Sequence, residues 1–200
     1  PDGKRYFADT SEGNPGPLIS ALLEKKHIVV AMDPFLCGEY QTPWAATSRD
    51  ESDKFFAVYN HTDLSCRIQD ILTTIAFVEA WGNVESINLV GLSEAGLWCL
   101  LARGLAPDVR SLMVEMGNAD LDADDTWLGE LYIPLIRKVG DYRTAVALGA
   151  PGRLFLLAGG AKTDFPDISA LYKSINAEQN IQIDRTTPSR AADHMAWLTE

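Results

Sequence analysis

The stretch Val90-Gly91-Leu92-Ser93-Glu94-Ala95-Gly96 holds the residue types that nucleophilic catalysis by a serine requires. It closes an apolar run, Ser86 to Leu92 (SINLVGL), and opens a helical pattern from Ser93 to about Leu105. A serine raised on so sharp a strand-to-helix bend needs small residues two positions before and two after. Larger side chains there collide with the strand and the helix. Gly91 and Ala95 meet that need; Ala95 adds one methyl group to the stricter glycine form, and Gly96 follows at once. The first amides of the following helix would point at the serine, so the N–H of Glu94 is the expected donor to a developing oxyanion. The plain alternative is an ordinary turn with a serine N-cap.

A serine hydroxyl attacks at neutral pH only with a base in hydrogen-bond reach and a third group fixing that base. The chain has three histidines. His27 starts an apolar run ahead of Ser93, and His61 sits between Asn60 and Thr62, where a local cap is the simpler reading. His194 lies after the last strand-like segment, which suits the chain order serine, acid, histidine. The acid is expected on the loop after the penultimate strand. There RLFLLAGG runs into Ala161-Lys162-Thr163-Asp164-Phe165-Pro166-Asp167. Asp164 lies in the loop proper and is taken as the acid, Asp167 reads as the N-cap of the next helix, and Asp120 is the other candidate.

The elements that must position these groups alternate along the chain. Helical spacing marks residues 15–26, 63–81, 93–105, 141–148 and 167–177, with a last helix from about Asp193. Strand-like runs lie at 27–32 (HIVVAM), 86–92, 111–116 (SLMVEM), 153–158 (RLFLLA) and 181–184 (IQID). The run 27–32 is apolar throughout and reads as a strand buried on both faces. Two polar and aromatic excursions, 33–61 and 117–137, interrupt the pattern. Strands separated by helices predict βαβ units: an α/β protein, a three-layer α/β/α sandwich with a mostly parallel sheet, in one domain over residues 1–200.

Composition sets the outer limits. The chain is 46% hydrophobic and 22% charged over 200 residues, enough for one substantial core. A net charge of −11 disfavours nucleic acid and anionic lipid as partners. No apolar run approaches the roughly 18–20 residues of a membrane span. Cys37, Cys66 and Cys99 form neither a disulfide framework nor a metal-ligand pattern. Asp120, Asp122 and Asp124 imitate the start of a calcium loop, but its sixth and twelfth positions are Asp125 and Leu131 instead of Gly and Glu, so a solvated acidic loop is expected. Tyr40, Trp44, Trp127 and Tyr132 could wall a sugar or acyl site or pack their own loops. Arg67 and Asp70, three apart on one helix, are expected to pair.

Segment order, the GLSEAG turn, Asp164 and His194 together resemble the α/β-hydrolase superfamily. Within it the chain resembles the acetyl xylan esterase and dienelactone-hydrolase-like branch. The stretches that carry this are Val29-Val30-Ala31-Met32-Asp33-Pro34-Phe35 with Gly38-Glu39, Tyr59-Asn60 with Arg67-Ile68-Gln69-Asp70-Ile71-Leu72, and Gly140-Asp141-Tyr142-Arg143. The resemblance implies a Ser93–His194–Asp164 triad, an acyl-enzyme, no cofactor and no metal, with a small-molecule or carbohydrate ester as substrate. It also implies a second oxyanion donor from Pro1-Asp2-Gly3-Lys4, at Asp2, Gly3 or Lys4, with Gly3 the central choice. The strands expected before that fragment are missing, so the resemblance implies a hydrolase domain cut at its N-terminus, with secretion or a periplasmic site compatible. Two rivals stand beside esterase chemistry: a peptidase or thioesterase with the same triad, and a non-catalytic module of the same fold.

Overall fold

The computed structural model describes residues 8–9, 14–41, 49–186 and 191–199. A two-residue antiparallel pair, β1 (Ala8–Asp9) and β2 (Asn14–Pro15), precedes α1 (Pro17–Glu24), which starts with proline at its first position. Two further helices, α2 (Phe56–Tyr59) and α3 (Asp63–Glu79), lead to β3 (Ile87–Gly91) and α4 (Glu94–Arg103). Then come β4 (Val109–Glu115), α5 (Asp124–Leu128), α6 (Asp141–Gly149), β5 (Arg153–Leu157), α7 (Pro166–Ser174), β6 (Ile181–Asp184) and α8 (Met195–Thr199). The four strands β3 to β6 form one parallel sheet in the order β3-β4-β5-β6. This is the parallel sheet flanked by helices that the alternating pattern predicts.

Successive strand residues point to opposite faces, and both faces of β4 and β5 are covered. Leu112, Val114, Leu154 and Leu156 share a core with Ile68, Ile71 and Ile75 of α3, Leu100 of α4, Val146 of α6 and Tyr172 of α7. Their neighbours Met113, Phe155 and Leu157 face the other way, onto Leu18 of α1, Leu198 of α8 and Ala191 just ahead of α8. Each fully buried side chain of this size contributes about 1.5–3 kcal/mol, which is why these continuous apolar runs settle at the centre of the sheet.

The helices follow their apolar spacing. In α3, Leu64, Ile68, Ile71 and Ile75 are buried on one stripe, and the Thr62 side chain accepts the Ser65 N–H at 3.2 Å to start it. Every residue of α4 from Gly96 to Arg103 is buried, because the helix lies between α3, α6 and strands β3 and β4. Arg103 closes its far end, donating to Ala106 O at 2.8 Å and to Gly149 O at 3.0 Å. Burial pushes the neighbouring Cys99 thiol up to about 12, so it stays neutral and serves as a core residue.

Three expectations are corrected. Residues 27–32 form no strand; Ile28 is 71% and Val30 43% exposed, and only Met32 reaches the main core. Apolar character alone does not make a strand, since the ladder needs a partner backbone, and none of the described residues supplies one here. Arg67 and Asp70 do not pair with each other. Both take the backbone of Phe35 instead, Asp70 accepting its N–H at 2.8 Å and Arg67 donating to its carbonyl at 3.2 Å, with the Arg67 guanidinium over Trp98. Asp167 is not the N-cap of α7; Phe165 holds that place and Asp167 lies in the first turn, bonded to Arg143.

Candidate active site

The chain leaves β3 at Gly91 and enters α4 at Glu94, turning at Leu92 and Ser93. Ser93 has φ +53° and ψ −134°. That lies in territory which favours glycine, at a cost on the order of 1–3 kcal/mol for a residue with a side chain. Three contacts hold the bend. The Gly96 N–H donates to Ser93 O at 3.0 Å, the Ala95 N–H to Leu92 O at 3.1 Å, and the Ser93 N–H to Glu115 Oε2 at 2.9 Å. The last has a charged acceptor, worth about 1.5 kcal/mol in so open a place.

The bend leaves no room for a side chain at two of its glycines. A Cβ on Gly91 would stand 2.7 Å from both Ala95 O and Gly96 Cα. A Cβ on Gly96 would fall well inside van der Waals contact with the Glu115 carbonyl. Gly96, where α4 seats on the end of β4, is therefore a further constrained position, and Ala95 packs against the core.

Ser93 is exposed, and its side chain does not cap α4. Among the described residues nothing hydrogen-bonds its hydroxyl. Ser93 thus holds the N-cap position of α4 without a capping bond from its hydroxyl. Glu94, whose amide opens the helix, is exposed beside it.

His194 stands on a short 3-10 turn, Ala191–His194, just ahead of α8. Its ring meets Phe155 edge-on at 4.7 Å, and its Nε2 is 3.1 Å from Asp184 Oδ2. Both side chains are largely shielded, 23% and 15% exposed. Asp164 is not bonded to His194. It is 86% exposed and paired with Arg185 at 2.8 Å. The cause is local: Thr163 turns inward, its Oγ1 accepting the Leu121 N–H, while its carbonyl accepts from Arg185, so the next side chain points outward. Asp184 reaches His194 because β6 ends there, opposite Leu157 at the C-terminal rim of the sheet. The one available signal for it was its place as the last residue of IQID.

The remaining candidates lie elsewhere. Asp120 accepts the Ala123 N–H at 3.3 Å in a local turn. Asp122 and Asp124 are taken by Arg143 and Arg137, in keeping with a solvated acidic loop. Trp127 is core, stacked on Tyr142 and donating its indole N–H to Leu121 O, whereas Tyr40 is exposed. His61 is exposed and its carbonyl accepts from Arg49. Gly3, with Asp2 and Lys4, and Trp44 lie outside the described residues. Among the described residues no cluster of three or more His, Cys, Asp or Glu is placed to hold a metal ion, and no helix is long and apolar enough to cross a membrane.

Ser93 and His194 share one rim of the sheet but are not in contact. Val90, Met113 and Phe155 lie in one row across β3, β4 and β5, so His194 over Phe155 is two strands from the strand that carries Ser93. Two strand spacings are about 10 Å.

No protein-family model matches this chain, and neither does any curated protein or solved structure. The site must therefore be read from its own chemistry. Its parts are a strained, solvent-facing serine at a helix N-terminus, an imidazole oriented by a carboxylate on the same rim, and a second carboxylate, Glu115, on the serine's own amide.

Proposed function

We propose that this chain is a serine hydrolase of the α/β-hydrolase type, acting on carboxylic esters, with Ser93 as nucleophile and His194 as proton carrier. One observation supports it above the rest: a non-glycine residue held at positive φ between strand and helix, with a hydroxyl that caps nothing and has no hydrogen-bond partner among the described residues. Backbone strain that returns nothing to the fold is expected where a reactive group must be presented.

In this reading Ser93 Oγ attacks the ester carbonyl carbon while its proton passes to His194. The tetrahedral oxyanion is met by the Glu94 amide at the start of α4. It collapses as the C–O bond breaks, the alcohol leaves with the proton from His194, and the acyl group stays on Oγ. A water deprotonated by His194 then releases the acid and restores the serine. No cofactor enters these steps. Asp184, at 3.1 Å from the imidazole, takes the orienting role that sequence order had suggested for Asp164. Proton transfer also requires the ring to come within hydrogen-bond reach of Ser93, across the two strand spacings that separate them. The resemblance makes an acetyl ester of a carbohydrate the substrate to try first.

The decisive experiment is labelling by a fluorophosphonate, with Ser93→Ala as control, followed by p-nitrophenyl acetate against peptide and thioester substrates. The separation of Ser93 from His194 favours one rival, a non-catalytic module of the same fold, and that rival predicts no labelling at all. Substitutions at the carboxylates sharpen the assignment. Asp184→Asn is expected to slow ester turnover about 100-fold or more, by releasing the imidazole from its partner. Asp164→Asn is expected to stay within about threefold, since among the described residues that side chain is exposed and pairs with Arg185. The reverse ranking would return the role to Asp164.

A further inference from the structure

The carboxylate on the Ser93 amide belongs to a residue that the reaction as written does not use. Glu115 is the last residue of β4, one past Val114, which pairs with Gly91 at the end of β3. Beyond Gly91 the ladder between these strands stops, so the Ser93 N–H has no strand carbonyl to meet. Glu115 Oε2 takes that place at 2.9 Å. The same residue also touches the other end of the bend, since its carbonyl lies against Gly96 Cα closely enough to forbid a Cβ there. Glu115 is itself fixed from behind: it pairs with Leu157 of β5, and the next amide, Met116 N–H, donates to Leu157 O at 3.0 Å. A single residue, anchored by the sheet interior, thus grips the strained turn at both of its ends.

We propose that Glu115 is a positioning residue for Ser93: by accepting the serine's amide it holds the hydroxyl in the conformation from which it attacks. This rests on the serine-hydrolase reading above. The hydrogen bond is the operative element, so an uncharged acceptor of the same length should serve. A purely electrostatic role for the carboxylate would instead disappear with its charge, and a merely structural role would change stability without changing the rate of the folded protein.

Three chains are compared, the unsubstituted protein, Glu115→Gln and Glu115→Leu, each confirmed as folded by circular dichroism. For each the rate of fluorophosphonate labelling and the kcat and KM for p-nitrophenyl acetate are measured. The expected result is that Glu115→Gln stays within about threefold of the unsubstituted rate. Glu115→Leu should label about tenfold more slowly, with the loss in kcat and KM little changed. Equal labelling of Glu115→Leu and the unsubstituted protein overturns the proposal, and so does a Glu115→Gln as slow as Glu115→Leu. Absence of labelling in the unsubstituted protein removes the hydrolase reading itself and this proposal with it, a separate and recognisable outcome. Amide exchange of Ser93 in the unsubstituted protein needs no variant to fold. Protection of that amide relative to Glu94 is expected, and exchange at the open-chain rate overturns the proposal.

Discussion

Ser93→Ala is expected to abolish fluorophosphonate labelling and to lower ester turnover at least about 1,000-fold, because the atom proposed to form the acyl bond is gone. Its companion Ser93→Gly should lose activity equally and yet be the more stable protein. Glycine adopts φ +53°, ψ −134° freely, and serine does not. Relief of that strain should raise the unfolding free energy by about 1 kcal/mol, read from the urea midpoint. Stability gained where activity is lost marks a conformation kept for something other than folding. A Ser93→Gly chain less stable than the parent would show that the hydroxyl does structural work after all, and the catalytic proposal would lose its main support.

The second large effect is expected at Gly96. Gly96→Val drives a branched side chain into the Glu115 carbonyl and toward Val114 Cγ1, which would stand 3.1 Å from the new Cβ. Neither can retreat, since β4 is bonded along its length to β3 and β5. A loss of about 3 kcal/mol is the expected result, enough to remove most of the soluble folded protein on expression. Gly96→Ala meets the same carbonyl with its single methyl and should fall in the same direction. A Gly96→Ala protein that melts with the parent would mean that α4 can slide off the end of β4.

Much of this arrangement could be read from residue types. The runs at 112–114 and 154–157 are apolar without alternation because helices cover both their faces, and that burial is written into composition. The stripe of Leu64, Ile68, Ile71 and Ile75 likewise declares which side of α3 is buried. Residues 27–32 have the same character and no ladder, because pairing depends on a second segment that local sequence does not describe. The serine was legible from its glycine neighbours. The carboxylates beside Ser93 and His194 were not: Asp184 and Glu115 each close a strand, and their contacts arise from register between strands far apart in the chain. Asp164 looked suitable by position, but an inward-turning Thr163 reverses the direction of the side chain that follows.

Among the described residues β3 is the outermost strand of its sheet, with β4 as its sole flank. Outer strands open more readily than central ones. Ser93, the proposed nucleophile, is therefore carried by one of the two strands that should loosen early. Gentle warming or dilute urea is expected to disarm the protein while its helices remain intact, with labelling fading ahead of far-ultraviolet ellipticity and returning on dilution. Coincident loss of both signals would mean that the rim of the sheet unfolds only with the whole.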